Sequence, residues 1–179
     1  MYQYNMATDS KREDNRFDDA TDAASTTCPI STPPTTAAHP EYLWNGPGSV
    51  PYPEHTFQIF QKDSGKSIAI AGDKAKLDRL GFFNSSDTHW LCVKQDGYFG
   101  FQHTETGVYL GHDGQSGIRA SAPHLKQWEL WTPREHPAGG YELLSPCGGS
   151  SLMVLCVDRD GSTLVRRRHG TTLWEFVKV

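Results

Sequence analysis

Residues 99–131 read FGFQHTETGVYLGHDGQSGIRASAPHLKQWELW, and this stretch is the middle copy of a threefold repeat. Phe57, Phe99 and Tyr141 stand 42 residues apart. Two places after each comes another apolar residue: Ile59, Phe101 and Leu143. Gly65, Gly107 and Gly149 keep the same step, and so do Ile68, Leu110 and Leu152. A tryptophan closes each copy, read here as Trp90, Trp128 and Trp174, with the spacing slipping to 38 and then 46. A long fixed period marks a repeated unit that cannot bury its apolar face alone.

Each copy divides into short apolar or alternating runs separated by Gly, Asp, Asn and Pro, the pattern of strands and turns. No window holds a helical period. Four strands in each of three copies predict twelve. The turns Asp63-Ser64-Gly65-Lys66, Glu105-Thr106-Gly107-Val108 and Cys147-Gly148-Gly149-Ser150 place glycine last in a two-residue hairpin loop, where φ > 0 is favoured. That loop sets Ile59 opposite Ile70, Phe101 opposite His112, and Leu143 opposite Val154. Ile59, Ile68, Phe101, Leu110, Leu143 and Leu152 are then the expected core.

The repeat resembles the β-trefoil: an all-β fold of three four-stranded units with pseudo-threefold symmetry. Thr106-Gly107-Val108-Tyr109-Leu110, Gly117-Ile118-Arg119-Ala120 and Trp128-Glu129-Leu130 resemble the fascin-like, or actin-crosslinking-like, branch. Short trefoils behind an N-terminal tail are also similar to fungal members of that branch. The ricin-B-like lectin branch closes its repeat with Gln-x-Trp. The corresponding triplets here are Thr88-His89-Trp90, Lys126-Gln127-Trp128 and Thr172-Leu173-Trp174, and none matches.

The 179 residues divide into a tail, 1–50, and a trefoil domain, 51–179. The tail is low in apolar content and carries the run Ser31-Thr32-Pro33-Pro34-Thr35-Thr36-Ala37-Ala38, so it is expected to be disordered. Its exception is Tyr42-Leu43-Trp44, a strap that could dock on the domain. Three basic and seven acidic side chains give the tail the whole net charge of −4, which leaves the domain neutral. Neutrality argues against nucleic acid and anionic membrane surfaces as partners. With no apolar leader and no membrane-length run, a cytoplasmic setting with reduced cysteines is expected. Cys92 and Cys156, inside apolar strands, read as small buried hydrophobes.

No nucleotide, zinc or nucleophile motif occurs. The histidines have no ligand spacing, so neither a metal nor any other cofactor is expected. The leading function is therefore a non-catalytic binding or scaffold module for a protein or small-molecule ligand. The resemblance to fascin points to a cytoskeletal partner. The second reading is a cofactor-free cyclase or isomerase, its pocket formed between Trp44 and the barrel. His112, an imidazole in a core position, either makes a buried hydrogen bond to a backbone carbonyl or lines an open pocket, where burial keeps it neutral and suits it as the catalytic general base. Gln102, His103 and Asp113 are its expected neighbours. The third reading is a carbohydrate-binding module using exposed Trp131, Tyr98 or Tyr109. Arg166 and Arg168, expected on one face of a strand, are either a solvated edge or an anion-binding pair. The oligomeric state is left open by the sequence.

Overall fold

The computed structural model describes residues 49–79 and 85–179. Residues 1–48 of the tail, with the Trp44 strap, lie outside these residues. Copy one supplies β1 (Thr56–Gln61), β2 (Lys66–Ala71), β3 (Lys74–Arg79) and β4 (Trp90–Gln95). Copy two supplies β5 (Tyr98–His103), β6 (Tyr109–His112), β7 (Ile118–Ala122) and β8 (Thr132–Glu135). Copy three supplies β9 (Tyr141–Pro146), β10 (Leu152–Val157), β11 (Leu164–Arg167) and β12 (Trp174–Lys178). The only helical turns among the described residues are two short 3-10 turns, Ser85–Thr88 and Gln127–Glu129.

The first and last strands of each copy close a six-stranded barrel. β1 pairs with β12 and β4, β4 with β5, β9 with β8 and β12. Between β5 and β8 the circuit is completed by Phe99 and Trp131, which exchange two backbone hydrogen bonds of 2.8 Å. The middle hairpins form a triangular cap. Lys74 meets Arg119, Lys76 meets Thr163, and Gly117 meets Val165, one bridge for each side of the triangle. This is the β-trefoil. Ser49 already donates its N–H to the Phe176 carbonyl, so the chain is tied to β12 before β1 begins.

Alternation within the strands fills the barrel. Phe57, Ile59, Phe101, Leu143 and Phe176 point inward and are buried. Phe176 is the hub: it stacks on Phe101 at 5.5 Å and meets Phe57 and Tyr141 edge-on. Cys92 and Cys156 are buried free thiols, and burial pushes the Cys92 thiol up to about 12, which makes it inert.

The hairpin registers differ from the expected ones. Gln61 pairs with Lys66 and Gln102 with Tyr109, so the loops of copies one and two are longer by two residues than the two-residue turns expected. Copy three pairs Leu144 with Val154, a shift of one residue. A shift of two leaves every side chain on its face, whereas a shift of one reverses it. Hence Ile68, Leu110 and His112 stay inside as expected, but Leu152 is 44% exposed and Leu155 takes the core position. The turn glycines do adopt φ of 66°, 71° and 55° at 65, 107 and 149.

The closing residue of copy two is corrected as well. It is Trp131, fully buried, and not Trp128, which is 42% exposed. The three closing indoles do one job. Trp90 Nε1 donates to Ile68 O, Trp131 Nε1 to Leu110 O and Trp174 Nε1 to Leu155 O, at 2.9, 2.9 and 3.2 Å. The closing positions are then 41 and 43 residues apart, and most of the apparent slip disappears. Trp131→Ala should cost about 3–5 kcal/mol, from the cavity and the orphaned Leu110 carbonyl. Trp128→Ala should cost about 1 kcal/mol or less. Urea unfolding followed by far-UV circular dichroism separates the two, and equal losses would contradict this assignment.

Candidate functional site

Between β7 and β8 of copy two the chain runs through Pro123-His124-Leu125 and makes the 3-10 turn Gln127–Glu129 two residues before Trp131, just as copy one makes Ser85–Thr88 two residues before Trp90; of these two turns only the one in copy two carries a tryptophan. The turn is closed by its own residues. Glu129 N–H donates to Lys126 O at 3.0 Å, and Lys126 N–H donates to Glu129 Oε2 at 3.2 Å. It lies directly on β6 at Gly111, where a Cβ would come within 2.9 Å of the Trp128 carbonyl and of Glu129 Cγ. Any side chain at 111 would displace the turn, so this glycine serves close approach.

The turn projects Trp128 outward. Two residues pack against its indole. The Arg119 guanidinium lies over the ring at 5.1 Å, and the His112 ring packs against it at 5.8 Å. Trp128 thus forms one wall of a groove of about 600 Å3, whose other walls include Arg119, His124, Lys126, Gln127 and Glu129. Glu129 is only 2% exposed, and burial pushes its carboxyl up from the usual range.

His112 lies behind this groove, not in it. It is 2% exposed and does not line the groove wall. Its Nδ1 accepts the Gly114 N–H at 2.9 Å, which leaves the proton of the neutral ring on Nε2. That Nε2 is buried without a partner. Burial first, then the Arg166 charge, lowers its pKa to about 4. The imidazole is neutral as expected, but it reaches no solvent and faces Trp128 in place of a substrate.

The other proposed neighbours serve local structure. Gln102 Nε2 donates to Gly107 O and stiffens the β5–β6 turn. His103 is buried on Trp90, its ring nitrogens engaged with Thr106 Oγ1 and the Ser86 carbonyl. Asp113 Oδ1 accepts the N–H groups of Gln115 and Gly117 and shapes the β6–β7 turn. Trp131 is buried in the core, so the expectation that it is exposed to a ligand is corrected. Arg166 and Arg168 do not form a surface pair. Arg166 is 3% exposed and donates to Gln115 O, Ser145 Oγ and Pro146 O, joining two cap hairpins. Arg168 is exposed beyond the end of β11. Trp44 lies outside the described residues. Sequence reasoning missed Trp128 because the period made it the core tryptophan. The signal available was the second tryptophan three residues on.

His112 predicts a pH dependence. Unfolded, it titrates near 6.5; folded, near 4. Between these values the unfolded chain binds more protons, so stability falls as pH drops below about 6.5 and the loss is complete below about 4. The loss should be about 3 kcal/mol. His112→Ile, the residue at the matching place in β2, should flatten that slope in pH-dependent unfolding. It should cost about 1 kcal/mol at neutral pH for the lost Gly114 N–H acceptor. An unchanged slope would remove His112 from this role.

No family model matches the sequence, and no curated protein matches it. Solved structures do share the fold. A GlcNAcα1-4Gal releasing endo-β-galactosidase from Clostridium perfringens superposes with a TM-score of 0.61 at 20% identity, over 70% of this chain and 32% of that one. This chain therefore spans about a third of that enzyme. SeviL bound to asialo-GM1 saccharide gives 0.57 at 20% identity, over 70% of this chain and 98% of SeviL. The designed threefold-symmetric ThreeFoil gives 0.58 at 16% identity, over 69% and 99%. These likenesses carry the β-trefoil fold.

Proposed function

We propose that the domain is a non-catalytic binding module whose ligand is a saccharide, seated on Trp128. One observation carries this: a tryptophan 42% exposed, its indole packed by Arg119 and His112, on the wall of a groove lined by polar side chains. The C–H face of a pyranose packs on an indole, while its hydroxyls need donors and acceptors at the edge of the same ring. Gln127, His124, Lys126 and Ser121 are placed to supply them. The groove has the volume of a small-molecule site, whereas a protein partner of ordinary affinity needs a broad surface. That SeviL, bound to asialo-GM1 saccharide, shares the fold supports the reading without transferring any contact.

A cytoskeletal partner of the fascin kind gains no support from the copy-two motif. Gly107 holds a left-handed turn, and Gly117 packs against the Asp113 carboxylate, so these residues serve the fold. The copy-two equivalent of the lectin triplet is Glu129-Leu130-Trp131, which again lacks the glutamine.

A glycan array should give a defined set of bound saccharides. Trp128→Ala should weaken that binding at least about tenfold, the loss of one stacked ring at the upper end of its range, while circular dichroism stays native. Equal binding by the variant, or an array with no bound saccharide, would overturn the proposal.

A further inference from the structure

The groove beside Trp128 has an unbalanced charge. Arg119, on β7, and Lys126, at the start of the 3-10 turn, both line it, with His124 between them in sequence. Neither Arg119 nor Lys126 forms an ion pair with any described residue. The Arg119 side chain also makes no hydrogen bond among them, and its Nε–H is buried without an acceptor. Three other arginines of the strands are engaged. Arg134 is paired with Glu142, Arg167 with Asp158, and buried Arg166 donates to three protein oxygens.

The acid nearest at hand can offset only one of the two cations. Glu129 is the one carboxylate lining the groove, and it is buried, with Oε2 taken by the Lys126 N–H. Its burial penalises the ionised form despite Arg119 and Lys126 nearby. Asp113 gives its Oδ1 to two backbone N–H groups of its own turn. Arg119 is also fixed in place: its guanidinium lies over Trp128, so its remaining N–H groups are oriented at little further entropic cost.

An anion held by a planar guanidinium in a partly desolvated groove gains charge-assisted hydrogen bonds stronger than neutral ones. Resting on the saccharide reading above, we propose that the ligand is an anionic saccharide, whose carboxylate or sulfate ester is held by Arg119 and Lys126 while its pyranose ring stacks on Trp128. The carboxylate of a uronic or sialic acid and a sulfate ester offer the same oxygen pair to the guanidinium, and the probes below tell them apart.

The test titrates the full-length protein with methyl β-galactoside, methyl β-galacturonide and galactose 6-sulfate. The indole N–H resonance of Trp128 is followed by NMR at low and high salt. At least one anionic sugar should bind about tenfold or more tightly than the neutral one at low salt. That preference should shrink as salt is raised, because the groove is open to solvent. Lys126→Gln, on an exposed side chain, should lower anionic affinity about threefold or more and the neutral sugar's affinity by a smaller factor, so that the anionic preference falls. Arg119→Gln should lower it further. Preference for the uronide alone assigns a carboxylate, and preference for the 6-sulfate alone assigns a sulfate ester. Equal binding of neutral and anionic sugars, or a preference unmoved by Lys126→Gln and Arg119→Gln, would overturn the charge assignment and leave the Trp128 platform standing. No binding of any of the three overturns the charge assignment; the saccharide reading falls with it only if the glycan array is empty too.

Discussion

Three indole N–H groups hold this fold together. Trp90, Trp131 and Trp174 sit where the barrel meets the cap, and each donates to a carbonyl of its own copy's second strand. Each acceptor belongs to a buried aliphatic residue, Ile68, Leu110 or Leu155, so no water can replace the bond. A net hydrogen bond contributes about 1 kcal/mol, but an orphaned buried carbonyl costs more than that. Because the constraint recurs three times, the cap hairpins stand in a fixed geometry over the barrel. The groove of copy two inherits that rigidity through Gly111, on which its 3-10 turn rests.

The core of the fold was legible because period-two burial tolerates some errors. The hairpin loops of copies one and two were read two residues short, and the inward residues were still assigned correctly. In copy three the error was one residue, and it exchanged Leu152 for Leu155. Turn glycines report that a hairpin exists, but loop length depends on which carbonyl closes it, and the sequence does not show that. The tryptophan spacing misled for a related reason. Trp128 and Trp131 both fit a loose period, and only the partner of the indole N–H tells them apart.

The candidate site was less legible. His112 was correctly read as an imidazole in a core position, and its neutrality follows from burial among apolar and cationic groups. What the sequence could not show was the direction it faces. Arg166 reads as surface in a run of three arginines, yet the cap buries it against backbone oxygens that no sequence motif announces. Trp128, Arg119 and Lys126 come together because the 3-10 turn before the closing tryptophan sets Trp128 and Lys126 beside Arg119 of β7. Copy one makes the same turn without a tryptophan, so the side chains and not the path distinguish copy two, and the scaffold needs only the shared positions.

Hydrogen exchange at the tryptophan indole N–H groups, followed by 15N NMR, tests the account most directly. Three of these protons, on Trp90, Trp131 and Trp174, should be protected to nearly the free energy of global unfolding. The Trp128 proton should exchange rapidly in the native state and be slowed only by ligand. A rapidly exchanging Trp131, or a protected Trp128 in the free protein, would contradict both the closing of copy two and the assignment of Trp128 as the binding platform.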